Sequence, residues 1–373
     1  MDKSGYLMQY DCLTGNEYKL WYIASRLSSL IEINRVTGEA KELFSLKKEG
    51  QYRSLVKNKD QLLLIPAKKG RLWIYDIKDG KTMSYSIPNE IFQEALNWSA
   101  KYIKLENHIY FSWASPLIVK YDLLNNQWTV LKEWRKLLFG GDQHENWFPN
   151  ETFFHDGFLY FQIGTSRTIL KLNPKNDEFS ILSLYLPKQV VSIDNTRYSN
   201  GELWMECKND NGTVSIYRCS EWNDCICERI IDLRINMSVS GEARVFSIIE
   251  AIGDKLLLLP GNYDKAYLLD IEKRKLCVSD DYPSVSCDKL IPNWFSAFNY
   301  YKGIKLGNQL ITIHSWTHQL VEINEDESGV KKIPLFFSDE VLNRIVKREF
   351  DNIAMNNEGV LGLSDFIHYL CSD

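Results

Sequence analysis

The chain lacks the features that mark membrane, nucleic-acid and metal-dependent proteins. Its longest apolar runs, such as Leu256 to Leu259, fall far short of the roughly 20 residues that cross a hydrocarbon core. The first residues, MDKSGYLMQYDCLTG, contain no apolar core of signal-peptide length. A soluble, cytoplasmic protein that does not engage a membrane is therefore expected. Positive charge is not in excess: 44 Lys and Arg stand against 49 Asp and Glu, a net charge of −5, which argues against the field of cations that duplex nucleic-acid binding requires. Histidine is scarce, at 6 residues, and no H-E-x-x-H, G-x-S-x-G or phosphate-cradling glycine loop accompanies it.

The 8 Cys lack the paired C-x-x-C knuckles of common zinc sites. Cys207, Cys219, Cys225 and Cys227 fall close together, but the C-x-C pair at Cys225 and Cys227 faces one side of a strand. Reduced, buried thiols are expected, with no metal site and no cofactor. A hydrophobic content of 45% with 25% charged residues excludes long disorder.

What the chain does have is aromatic residues, 13% of the total with 11 Trp and 20 Tyr, and repetition. Flat rings pack well on pleated surfaces and also suit binding faces. QLLLIPAKKGRLWIYDIKDGK, from Gln61 to Lys81, returns without a gap as KLLLLPGNYDKAYLLDIEKRK, from Lys255 to Lys275. The same apolar strand occurs as KLWYIAS at Lys19, QLLLIPA at Gln61, HIYFSWA at His108, FLYFQIG at Phe158, ELWMECK at Glu202, KLLLLPG at Lys255 and QLITIHS at Gln309. Each copy follows a turn containing Gly, Asn or Asp, such as Asp156-Gly157, Asn200-Gly201 or Asn58-Lys59-Asp60, suited to positive φ. Each is followed by a second strand closing at Asn34, Asp76, Asp122, Asn173, Arg218, Asp270 or Asn324, then in most copies another turn and a more polar strand.

Four antiparallel strands per unit, at a period of roughly 40–50 residues, predict a β-propeller. The fold class expected is all-β: a seven-bladed β-propeller of four-stranded antiparallel blades with a short C-terminal helical tail. The blades are placed roughly at 5–46, 51–87, 101–132, 151–186, 191–233, 244–279 and 301–335, within a propeller of 1–337, and the tail at 338–373. Residues Tyr6 to Leu13 complete blade 1 or pair with blade 7.

The third unit, HIYFSWASPLIVKYDLLNNQWTVLKEW, resembles a Kelch repeat in its apolar strand, the Tyr121-Asp122 that closes the next strand, the short turn and the Trp128 that opens the last. The chain is identified as a divergent Kelch-like propeller. It departs from that pattern where Kelch units carry Gly-Gly: Ser112-Trp113 stands there, with Pro66-Ala67 and Pro260-Gly261 in the second and sixth units. The resemblance carries no functional residue across.

In the tail, Ser338 caps DEVLNRIVKREF, whose Val341, Leu342, Ile345 and Val346 form one helical face. A second short helix is expected from Ser364, with Phe366 and Leu370 one turn apart. The tail either seals the ring or docks another protein.

Function is expected where loops joining blades meet loops joining the second and third strands, because a rigid scaffold leaves variation to its loops. Inter-blade connections carry Trp98, Trp147 and Trp294, each after an Asn, and Tyr301; the shorter loops add Trp316 and His318. Such rings either offer flat faces to a sugar or peptide or wedge between blades. Arg53, Arg197 and Arg244, near the starts of channel strands, either grip an anion or pair with Asp194, Glu242 or Glu151. The expected function is a non-catalytic scaffold presenting an aromatic and basic face to a protein, glycan or peptide partner. The alternative is a lyase or hydrolase using His144 and Glu145 as acid and base at the channel mouth.

Overall fold

The computed structural model describes residues 12–24, 29–46, 52–66, 70–94, 101–112, 117–139, 149–222, 224–233, 245–261, 265–284, 300–315, 317–326, 329–344 and 347. Seven sheets follow one another, at 12–45, 52–86, 101–131, 149–183, 190–233, 246–279 and 300–334. Within each, four strands pair antiparallel in chain order. First strands of successive sheets touch around the ring, and Tyr102 Oη donates to Leu55 O at 2.7 Å between blades 2 and 3. The first strands therefore line a central channel, and the chain is a seven-bladed β-propeller.

The repeated leucines owe their character to this stacking. In blade 2 (strand Gln61–Pro66), Leu62 and Leu64 pack toward blade 1 while Leu63 and Ile65 pack toward blade 3. In blade 6 (strand Lys255–Pro260), Leu256 and Leu258 meet blade 5 while Leu257 and Leu259 meet blade 7. Alternate side chains of a strand point to opposite faces, so a strand covered on both faces is apolar throughout. Burying each such side chain contributes about 1.5–3 kcal/mol. Among the described residues, one buried cluster fills every seam between neighbouring blades.

Turn chemistry sets the strand ends. Positive φ occurs at Lys59, Glu106, Asp156, Asn200, Gly253 and Gly307 in the hairpins after the channel strands. The Asn and Asp that close third strands act through their side chains. Asp122 Oδ1 accepts from Leu124 N at 2.8 Å, Asp76 Oδ1 from Lys78 N at 2.9 Å, and Asn34 Oδ1 from Val36 N at 2.9 Å. Each bond starts an Asx turn into the outer strand.

Closure joins both parts of the chain at blade 1. Cys12–Gly15 pairs with Lys19–Ala24 as the channel strand of blade 1; Tyr6 to Asp11 lie outside the described residues. After blade 7, Phe336–Phe337 adds a parallel fifth strand to the outer strand of blade 1, with Phe336 N donating to Gly38 O at 2.9 Å. Ser338 Oγ accepts from Val341 N at 3.4 Å at the start of a helix described over 339–344. Val341 packs into the 7–1 seam, and Arg344 pairs with Glu42 of blade 1 at 2.7 Å. Ile345, Val346, Ser364, Phe366 and Leu370 lie outside the described residues.

Across the same seam, Arg35 donates through Nε to Glu322 Oε1 at 2.8 Å and through Nη2 to Gln309 Oε1 at 2.8 Å; within blade 1 its Nη1 donates to Asn16 O at 3.0 Å. Removing one partner of a buried pair strands the other charge. Arg35→Ala is therefore expected to lose about 3–5 kcal/mol, read as a lower urea midpoint, while Arg35→Met with Glu322→Leu regains most of it. Equal midpoints for Arg35→Ala and wild type would remove this clamp from the account of closure. Gly38 has φ +77°, and a Cβ there would lie 1.9 Å from Pro334 O. Gly38→Ala should thus expel the Phe336–Phe337 strap, which limited proteolysis would detect as early cleavage after Leu335.

Candidate functional site

The expected site draws on the end of the channel built by inter-blade connections and second-to-third strand loops. Of its residues, Trp98, His144, Glu145, Trp147, Arg244, Trp294 and Trp316 lie outside the described residues, as do the side chains of Arg53 and Tyr301 on the channel strands of blades 2 and 7. Arg197 and His318 are described: Arg197 bridges neighbouring blades, and His318 bonds through its carbonyl within blade 7.

Arg197 lies on the channel strand of blade 5 (Val190–Ser199). Its Nε donates to Glu250 Oε2 of blade 6 at 2.8 Å, and its Nη1 lies 3.9 Å from Glu151 Oε1 of blade 4. Glu250 is almost wholly buried and also meets Lys305 Nζ of blade 7 at 3.0 Å. Lys305 reaches Glu325 at 3.0 Å, and Glu151 receives Lys101 of blade 3 at 3.4 Å. Charges thus alternate from blade 3 to blade 7 as Lys101, Glu151, Arg197, Glu250 and Lys305. Burial by itself would raise the pKa of Glu250, but the Arg197 and Lys305 charges outweigh it and hold the carboxyl below its ordinary range. Of the partners expected for Arg197, Glu151 is nearby, whereas Asp194 accepts from Ser192 Oγ at 2.6 Å. Glu250, the closest partner, is separated from Arg197 by a whole blade of sequence.

Arg167, another base at the loop end, donates to the carbonyls of Leu186, Pro187 and Val190 at 2.7, 2.9 and 2.8 Å. It clamps the connection from blade 4 to blade 5.

His314 ends the second strand of blade 7 (Gln309–His314) and is fully buried. Thr317 N donates to its Nδ1 at 3.2 Å, Thr317 Oγ1 lies 2.7 Å from the same nitrogen, and Tyr300 meets the ring edge-on. Burial, with the neighbouring His318, pushes its pKa down from 6.5 to about 3. His318 is itself buried, with φ +49°, and its carbonyl accepts from Leu335 N at 2.8 Å, just ahead of the closing strap.

A cluster that was not singled out in the chain joins blades 4 and 5 near the hairpin end. Phe153 stacks between Tyr160 and Tyr198, with centroids 5.0 and 4.4 Å away, and Trp222 packs beside it. His155 Nδ1 lies 2.8 Å from Tyr198 Oη, and its Nε2 lies 3.2 Å from Asp156 Oδ2. The sequence signal was the shared position of Phe153-x-His155 and Tyr198 just before the Asp156-Gly157 and Asn200-Gly201 turns. Cys207, Cys219, Cys225 and Cys227 are buried free thiols in the same seam. Burial pushes the pKa of Cys207 upward, and among the described residues no group of three or more His, Cys, Asp or Glu is arranged to hold a metal ion.

The His314 shift has a definite sign. The folded chain keeps this imidazole neutral, while the unfolded chain takes up a proton below pH 6.5, so stability falls as pH drops from about 6.5 toward 3. His314→Gln should lose less stability than wild type between pH 7 and pH 4, measured by urea midpoints at each pH. Equal losses would show that His314 does not contribute to acid sensitivity.

Neither a protein-family model nor a curated protein matches the chain. Solved structures are similar to it in fold. A catalytically inactive virginiamycin B lyase from Staphylococcus aureus with quinupristin is 14% identical, with a TM-score of 0.55 over 88% of this chain and 97% of that one. The computationally designed Ika8 protein is 11% identical, with a TM-score of 0.53 over 87% of each chain. A chain of the mitotic checkpoint complex is 10% identical, with a TM-score of 0.52 over 89% of this chain and 88% of that one. At such identities the likeness shows the fold alone.

Proposed function

We propose that the protein is a non-catalytic binding scaffold whose loop end presents an aromatic and basic face to a protein, glycan or peptide partner. The observation that carries this reading is the charge ladder. Arg197, Glu250 and Lys305 neutralise one another across blade seams, so these channel groups serve the frame, and recognition falls to the loops. Trp98, Trp147, Trp294, Tyr301 and Trp316 offer flat apolar faces there, with Arg53 and Arg244 as the polar complement. The matched strands of blades 2 and 6 differ at their loop, AKKG against GNYD, which fits a constant frame with variable contacts. A divergent Kelch-like lineage agrees with blade 3, where Tyr121 and Trp128 are cross-strand partners with centroids 4.4 Å apart.

The test uses the full-length protein on oligosaccharide and peptide arrays. Wild type should bind a defined subset, and Trp147→Ala with Trp294→Ala should keep its melting temperature while losing binding on the order of tenfold or more, the effect of removing aromatic anchors. Binding of the same subset by the double variant would sink this face. Turnover of a bound oligosaccharide or peptide by wild type would replace the scaffold with an enzyme.

A further inference from the structure

In the seam between blades 4 and 5, a phenol meets a base and the base meets a carboxylate. Tyr198 is the penultimate residue of the channel strand of blade 5 (Val190–Ser199), and His155 closes the channel strand of blade 4 (Pro149–His155). Tyr198 Oη lies 2.8 Å from His155 Nδ1, and His155 Nε2 lies 3.2 Å from Asp156 Oδ2. A lone pair on Nε2 would face the carboxylate, so the ring hydrogen is assigned to Nε2, and Nδ1 accepts from the Tyr198 hydroxyl. A base within about 2.6–3.2 Å of a hydroxyl is in reach of its proton, and the Asp156 carboxylate favours the imidazolium that would result.

Trp222 connects this pair to the surface. Its indole is half-buried and fixed by Nε1 donating to Gly201 O at 3.1 Å. Its ring centre lies 6.0 Å from that of Tyr198, 5.2 Å from His155 and 5.2 Å from Tyr160. Indoles and phenols give up an electron more readily than other rings, but a phenol does so easily only when its proton leaves as well. Burial, with the Asp156 charge, makes the Tyr198 phenol hold its proton beyond the usual range, so the adjacent imidazole decides whether it can be oxidised. The other oxidisable groups of the seam have no such acceptor. Tyr160 bonds to no base among the described residues, and burial pushes its phenol up to about 12. Lys171 Nζ also stands 5.8 Å from its ring centre, a positive charge that opposes loss of an electron. The thiols of Cys225 and Cys227 donate to the carbonyls of Trp222 and Cys225 at 3.6 and 3.5 Å, oxygens that take up no proton.

We propose that Tyr198 is a redox-active tyrosine: a small one-electron radical oxidant takes an electron from Trp222, Tyr198 replaces it, and the phenolic proton passes to His155 Nδ1. The oxidant gains one electron and Trp222 returns to its starting state. One O–H bond breaks at Tyr198 and one N–H bond forms at His155, leaving a neutral phenoxyl radical and an imidazolium beside Asp156. Packing alone accounts for Phe153 between Tyr160 and Tyr198, but not for a base placed on one of the two phenols. The site lies near the hairpin end, away from the aromatic loops, so it stands or falls independently of the scaffold reading.

Pulse radiolysis of the full-length protein tests this, with azide radical as the oxidant and a nitroso spin trap whose adducts are located by mass spectrometry. Exposure alone would make Tyr18 and Tyr185, at 68% and 67% exposed, the most heavily trapped tyrosines. With His155 as base, half-buried Tyr198 should exceed both several-fold. Transient absorption of wild type should show a tyrosyl radical rising as a tryptophanyl radical decays, more slowly in D2O than in H2O. Tyr198→Phe, which keeps a ring on Phe153, should retain the wild-type melt and lose this phase, and Trp222→Phe should slow it several-fold. His155→Gln, which cannot take up the proton, should cut trapping at Tyr198 several-fold. Trapping that follows exposure, a phase unchanged in Tyr198→Phe or Trp222→Phe, or undiminished trapping at Tyr198 in folded His155→Gln would overturn the site.

Discussion

Among the described residues, each buried apolar cluster is shared between two neighbouring blades, so the structure depends on closing the seam between the last blade and the first. A single four-stranded sheet with apolar residues on both faces has no stable state alone; stacked in a ring, it is covered on both sides. Closure brings together elements far apart in sequence. Arg35 and Glu322 are separated by 287 positions, yet they meet at 2.8 Å, and the Phe336–Phe337 strand lies on the outer strand of blade 1. The outer edge of blade 1 is thereby partly covered, which blunts one of the unpaired strand edges that invite association.

The charges in the channel follow from the same requirement. A buried ion pair adds little net stability against an apolar pair of similar volume, but an unmatched charge in such a place is strongly unfavourable. The alternating series from Lys101 to Lys305 therefore ties neighbouring channel strands to one setting against each other. The series begins at blade 3, whose seam with blade 2 is bridged instead by Tyr102 Oη donating to Leu55 O.

Much of the fold was legible in the chain because a blade is built from local pairings. Hairpin residues declare positive φ through Asn, Asp and Gly, and the Asp or Asn that ends a third strand caps the turn it enters, as Asp122 does for Leu124. The alternation in QLLLIP, with Leu62 and Leu63 serving different seams, left its trace as an uninterrupted apolar run. The site was far less legible. Arg197 stood out as a channel cation, but its main partner Glu250 lies 53 positions away in the next blade. His155 carries no local mark of its partner, and its contact with Tyr198 crosses a seam between residues 43 positions apart.

The number of blades, the four-strand unit and the turn positions follow from the amino-acid order, since strand pairing within a blade joins residues close along the chain. Which face of each strand meets which neighbour, which charges cancel and how the ring is fastened came only from the folded arrangement. Those outcomes depend on the rotation and height of one blade against the next, and no spacing within a repeat encodes that relation. Arg35 shows the difference: in the chain it is a turn residue beside Asn34, and in the ring it joins blade 1 to blade 7 through Glu322 and Gln309.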